Sequence, residues 1–73
     1  MDKYDRKIMA ERIKALRQEK NLGQNALAKA ISVSNASISY WETCKQDPSA
    51  EAIFKLATFF KVSADYILGI TDY

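Results

Sequence analysis

Histidine is absent from this chain of 73 residues, cysteine and proline occur once each, and glycine twice. Each shortage closes off a class of function. Without histidine there is no imidazole for a proton-transfer dyad and none for a zinc site, and a single cysteine forms no internal disulfide. No metal and no cofactor are expected. The chain also has no phosphate-cradling glycine loop, which leaves an enzymatic reading almost without support. No apolar run reaches 18 residues and no signal-peptide pattern opens the chain, so neither membrane insertion nor export is expected. A lone thiol suits a reducing cytoplasm. The net charge is only +2, so basic residues that serve a polyanion must be placed rather than plentiful.

What remains is a short chain rich in helix formers. No repeat, low-complexity tract or linker divides it, and residues 1–73 read as one domain, complete or as the N-terminal piece of a longer regulator. A helical bundle is the most economical fold at this size, since its contacts are local.

The organising stretch is Gln24 to Glu42, QNALAKAISVSNASISYWE. At about 100° per residue it resolves into two short helices and a turn. On the first, Leu27, Ala30 and Ile31 fall on one side, with Asn25 and Lys29 on the other. Ser32, Val33 and Ser34 interrupt it with two turn-tolerant serines around an apolar anchor, and Ser34 suits the N-cap of a second helix starting at Asn35. There Ile38 and Trp41 face inward, with Asn35 and Glu42 at the edge. The opposite side centres on Ala36 and Tyr40, flanked by Ser37 and Ser39.

That outer side lacks the Lys, Glu and Arg of an ordinary solvated face. Small residues let a helix enter a groove about 12 Å wide, where Asn pairs with an adenine edge, Ala touches a thymine methyl, and Ser donates or accepts. A neutral surface helix or a protein-contact face is the alternative.

Several fragments, in order, carry a resemblance: IKALRQEKNLGQNALA from Ile13, then VSNASISYWE, DPS, KLA, and VSADYILG ending at Gly69. Together they resemble the lambda repressor/Cro-like, or XRE-like, helix-turn-helix family. The resemblance implies an all-α, five-helix domain with its helix-turn-helix at about residues 24–42. It also implies sequence-specific binding to a double-stranded DNA operator, as a homodimer, by a prokaryotic or phage-encoded protein that is cytoplasmic and nucleoid-associated when bound. No small-molecule ligand is evident. The expected result is transcriptional regulation, most often repression. A protein-interaction module on the same scaffold, such as an antitoxin or anti-repressor partner, is the alternative from another class.

Site residues follow from both lines of reasoning. Asn35, Ala36, Ser37, Ser39 and Tyr40 face base edges or nearby phosphates, with Ser34 at the helix start. Gln24, Asn25 and Lys45 hold the DNA backbone. In the family a Gln at position 24 also props the first residue of the recognition helix, here Asn35. Arg17 lies beside Ile13 on the buried side of the first helix, and Glu42 lies near Ile38. Each charge needs a partner there, so an Arg17–Glu42 ion pair is expected, and the resemblance implies it too. The alternative is that both snorkel outward.

Around this pair, Asp5 caps the first helix, Tyr4 folds over Met9, and the inner stripe is Met9, Ala10, Ile13 and Leu16. Asn21 suits a left-handed turn, and Gly23 stands where the family usually has a capping Ser or Thr. Ala28 lets the second and third helices approach closely. Cys44, Ser32 and Lys61 occupy positions where the family has glycine, so Cys44 is expected to carry a left-handed backbone. If Cys44 lies exposed beside DNA, its oxidation would modulate binding, a reading that ranks behind simple replacement of a glycine. Ser49 caps a fourth helix from Ala50 to Phe60 that buries Ile53, Leu56, Ala57 and Phe60. Ser63 caps a last short one closed by Ile67 and Tyr66. Leu68, Ile70 and Tyr73 in the tail, together with Phe54 or Phe59, form an expected dimer surface, with packing of the tail on its own domain as the alternative.

Overall fold

The computed structural model describes residues 3–73, which form five helices: α1 (Arg6–Glu19), α2 (Gln24–Ala30), α3 (Asn35–Glu42), α4 (Ala50–Phe60) and α5 (Ala64–Leu68). The all-α expectation and the limits of α2, α3 and α4 agree with it. Four of the five helix starts are capped by a side chain. The Asp5 carboxylate accepts the Lys7 N–H at 2.9 Å, and Ser34, Ser49 and Ser63 accept the N–H three residues on at 3.2, 3.1 and 3.0 Å. Gly23 starts α2 without a side-chain cap. The Tyr4 hydroxyl meets the Met9 sulfur at 3.7 Å, which fixes the entry to α1.

All five helices stop in the same way. A residue with left-handed backbone turns the chain, and the N–H after it returns to a carbonyl five residues back. The turning residues are Asn21, Ser32, Cys44, Lys61 and Gly69, with φ of 56, 60, 61, 58 and 89°. The returning N–H groups belong to Leu22, Val33, Lys45, Val62 and Ile70. Only the last of these turns uses glycine, and the expected left-handed backbone at Cys44 is present.

One core unites the helices. It contains Met9, Ile13 and Leu16 of α1, Leu27, Ala28 and Ile31 around α2, and Ile38 and Trp41 of α3. Ala52, Leu56, Phe60 and Ile67 complete it. Two expectations are corrected. Ala30 is exposed and Ala28 is wholly buried, because the buried arc of α2 leans from Leu27 toward Ala28, which leaves Ala30 outside it. On α4 the buried line is Ala52, Leu56 and Phe60 at strict four-residue spacing. Ile53 and Ala57, expected inside, are half-buried, Ala57 against the edge of the core, and line an open groove with Val62 and Leu68.

Candidate nucleic-acid interface

The α3 helix is seated on the core by Ile38 and Trp41, 0% and 5% exposed. Behind it, Arg17 grips Glu42 with two parallel hydrogen bonds, Nε to Oε2 at 2.7 Å and Nη2 to Oε1 at 2.9 Å. Arg17 Nη1 also donates to the Leu22 carbonyl at 2.8 Å. The side chains are 12% and 4% exposed, so the outward-snorkelling alternative does not hold. The hydrogen bonds to Glu42 push the guanidinium pKa further above its ordinary value, favouring the charged form.

This arrangement fixes one face of α3 inward and turns the other out. Asn35, Ala36 and Tyr40 are exposed, and Ser37 and Ser39 are half-buried at its flanks. Ser34 is committed to the cap, sharing a hydrogen bond with the Ser37 hydroxyl at 2.8 Å. Asn25 at the start of α2 is exposed and, with Ala26, Lys29, Val33 and Asn35, lines an open concavity of about 490 Å³. Lys29, on the outer side of α2, brings a cation beside Asn35 for which the sequence alone suggests no role.

Gln24 sits otherwise than expected. Its amide nitrogen donates to Glu42 Oε1 at 3.2 Å, which joins it to the ion pair, and among the described residues it makes no hydrogen bond to Asn35. The prop expected from the resemblance is therefore replaced by an anchor at the other end of α3.

Lys45 stands out by comparison within the chain. The residue after each left-handed turn is apolar in four helices, Leu22, Val33, Val62 and Ile70, but is an exposed lysine after α3. Its N–H, like that of Gln46, bonds the Tyr40 carbonyl, at 2.9 and 3.3 Å, and so the loop stays against the end of α3. Arg6 holds the same loop from α1. It donates to the Cys44 carbonyl at 3.3 Å and pairs with Asp47 at 3.1 Å through Nε and Nη2. This clamp joins positions 41 residues apart and has no local signature in the sequence. The Cys44 thiol is half-buried and points at the Arg6 carbonyl, 3.8 Å away.

The expected dimer residues divide. Phe54 is 70% exposed and Ile70 66%, and Tyr73 is also exposed. Leu68 is half-buried in the wall of the α4–α5 groove. Phe59 packs edge-on against Phe60 at 5.1 Å with the Lys20 ammonium 5.8 Å from its ring centroid, so its ring is engaged within its own domain. Among the described residues no cluster of acidic or sulfur ligands fits a metal, and no helix is long and apolar enough to cross a membrane.

A five-helix domain whose second and third helices make a tight turn, with the third locked from behind and polar in front, is a lambda-repressor-like DNA-binding domain. The helix-turn-helix family profile matches residues 13–67, and the chain belongs to that family. Its relatives are transcriptional regulators rather than enzymes. Repressor protein C2 of Salmonella phage P22 is 39% identical over 61 residues, 84% of this chain and 28% of the repressor. This chain thus spans well under half of that protein. A helix-turn-helix-type regulator of Methanocaldococcus jannaschii is 41% identical over 64 residues, 88% of this chain and 97% of its own. The crystal structure of the P22 c2 repressor in complex with a synthetic operator superposes with a TM-score of 0.79, covering 84% of this chain and 92% of that one.

Proposed function

We propose that this chain reads double-stranded DNA by inserting α3 into the major groove, and that two copies do so together on a pseudo-palindromic operator. The observation that carries the reading is the front of α3. Asn35, Ala36 and Tyr40 stand exposed, carry no charge, and sit on a helix immobilised by the Arg17–Glu42 pair. Such a face is small enough for close approach and polar enough to discriminate base edges. Asn35 and Tyr40 read bases, and Ser37 and Ser39 meet base edges or phosphates at the flanks. Asn25, Lys29 and Lys45 hold the phosphates, and Gln24, with one amide N–H engaged by Glu42, offers its second from the first turn of α2. The solved complex of the P22 c2 repressor with a synthetic operator supports the same use of this fold.

Dimerisation uses the α4–α5 face. An open groove of about 500 Å³ runs between Ile53, Ala57, Val62, Ala64 and Leu68, with exposed Phe54 at its edge. None of the residues lining it is charged, so a second copy meets no like-charge repulsion. A two-fold contact requires a self-complementary surface, and this one holds an apolar knob beside an apolar cleft. Two copies of α3 then lie in successive major grooves about 34 Å apart. Occupancy of a promoter represses, or less often activates, transcription in the cytoplasm.

Titration against duplex DNA at two salt concentrations, after selection of bound sequences from a random duplex pool, tests the reading. A reader of DNA yields a consensus with two-fold symmetry and binding that weakens steeply with salt. A chain that selects no sequence and ignores salt is a protein-interaction module instead.

A further inference from the structure

Arg12 belongs to neither the ion pair behind α3 nor the DNA face, yet its side chain is only 18% exposed. Its hydrogen bonds all lead to α5 and the segment after it. Nη1 donates to the carbonyl oxygens of Tyr66 and Thr71, the latter at 2.5 Å, and Nη2 reaches Asp72 Oδ1 at 3.3 Å. The guanidinium also lies over the Tyr66 ring, 4.4 Å from its centroid.

These contacts matter because α5 has five residues. A helix so short does not hold its own geometry and takes it from what it packs against. The Tyr66 carbonyl lies in its last turn, where a cation is favourable, and the Arg12 guanidinium adds to the single backbone bond it accepts there, from the Gly69 N–H at 3.2 Å. The chain then passes close over α1. A side chain at Gly69 would come within 3.1 Å of Ile8 Cγ2, and the Ile70 N–H folds back to the Asp65 carbonyl at 2.9 Å. Arg12 therefore binds α5 and residues 71–72 from behind, as one unit. The front of that unit supplies Ala64 and Leu68 to the α4–α5 groove and leaves Ile70 exposed.

We propose that Arg12 is the positioning residue of the self-association surface: by fixing α5 and the tail against α1, it sets the groove into which a second copy docks. The proposal rests on the dimer reading above. The Arg12 guanidinium is engaged by Tyr66, Thr71 and Asp72 rather than by α2 or α3, and its influence on operator binding passes through the dimer.

Lysine at this position keeps the charge, but its compact ammonium cannot occupy the Nη1 and Nη2 positions at once, nor lie as a plane over the Tyr66 ring. The test compares the unaltered chain, Arg12→Lys, a chain lacking residues 71–73, and the two changes combined. Sedimentation equilibrium gives the dimer dissociation constant, and titration on a half-site duplex and a full palindromic duplex separates dimerisation from DNA contact. Arg12→Lys is expected to weaken the dimer about tenfold and to weaken full-site binding with it, leaving half-site affinity unchanged. Removing residues 71–73 acts in the same direction, and adding Arg12→Lys to it costs less than it does alone. If the unaltered chain is a monomer even on the palindromic duplex, the dimer reading fails and this inference with it. If that chain dimerises and Arg12→Lys dimerises equally well, or loses half-site affinity in step with full-site affinity, this inference alone is overturned.

Discussion

Arg17 and Glu42 form a two-pronged ion pair between α1 and α3, with hydrogen bonds of 2.7 and 2.9 Å and side chains 12% and 4% exposed. Removing either partner leaves the other charged, nearly buried and unmatched. Glu42→Ala is expected to cost about 3–5 kcal/mol, because an orphaned buried charge loses more than the pair gained. Glu42→Gln keeps two polar positions in place and should cost less. For a domain this small the alanine variant should melt at least about 10 °C lower. An unchanged melting temperature would show that the pair is solvated and holds nothing.

A second expectation concerns the left-handed turns. Lys61 ends α4 at φ 58° and ψ 44°, a conformation that glycine adopts freely. A residue with a Cβ pays roughly 1–2 kcal/mol there, while glycine forfeits about 0.5–1 kcal/mol by its freedom in the unfolded chain. Lys61→Gly should therefore stabilise the domain by about 0.5–1 kcal/mol in urea unfolding. Gly69→Ala should do the reverse, since φ is 89° and Ile8 stands 3.1 Å from the new Cβ. Destabilisation by Lys61→Gly would mean that the lysine side chain, not the backbone, determines this turn.

Much of this architecture was legible because its causes are local. Capping residues at Asp5, Ser34, Ser49 and Ser63 mark four helix starts, and periodicity places Ile38 and Trp41 inside. Arg17 and Glu42 could be paired because each stood at a buried angle with no nearer partner. The reach of Arg12 to Tyr66 and Thr71, 54 and 59 residues away, could not be read this way. Nor could the clamp of Arg6 on Asp47, since both arginines lie at helix angles where a solvated side chain is the ordinary outcome. The close approach of α2 and α3 at Ala28 is legible and holds, whereas Ala30 lies outside the core because small apolar residues on a two-turn helix barely bias its rotation. The prop from Gln24 to Asn35 was inherited from the resemblance and lost to a nearby carboxylate, Glu42.

Phe54 provides a test of the dimer face that leaves the fold intact. With 70% of its surface exposed, it contributes little to the core, and Phe54→Lys should barely change the melting temperature. In the dimer each lysine would enter the partner's apolar groove and lose its hydration. Sedimentation should show a monomer at concentrations where the unaltered chain is dimeric, together with weaker binding to full operator. A variant that remains dimeric would move the interface elsewhere.

Tyr4 gives an alkaline signature. Burial, and then the negative charge of Asp47, raise its phenol pKa above the ordinary value of 10.0. The folded chain thus favours the neutral phenol more than the unfolded chain does, and this contribution is fully present below pH 10.0. It is lost as pH rises through the raised value. The effect is small because Tyr4 is more than half exposed. Tyr4→Phe should flatten the fall in melting temperature as pH rises above 10.0, and an unaltered slope would assign that fall to other groups.

Asn35 and Lys45 allow base reading to be separated from backbone contact. Asn35 stands at the exposed start of α3, where its amide can pair with one base edge. Lys45 is held beside the end of the same helix by its N–H bond to Tyr40, where a single cation serves any phosphate alike. Asn35→Ala should cost about 1–3 kcal/mol on the preferred operator, little on random duplex, and relax preference at one base pair of each half-site. Lys45→Ala should weaken operator and random duplex by the same factor and reduce the salt slope by about 1 for each copy bound, because one fewer phosphate is neutralised. The two variants thus differ in kind, which parallel titrations on both duplexes at several salt concentrations would reveal. Equal loss on both duplexes for Asn35→Ala would remove it from base recognition and shift the reading to Tyr40.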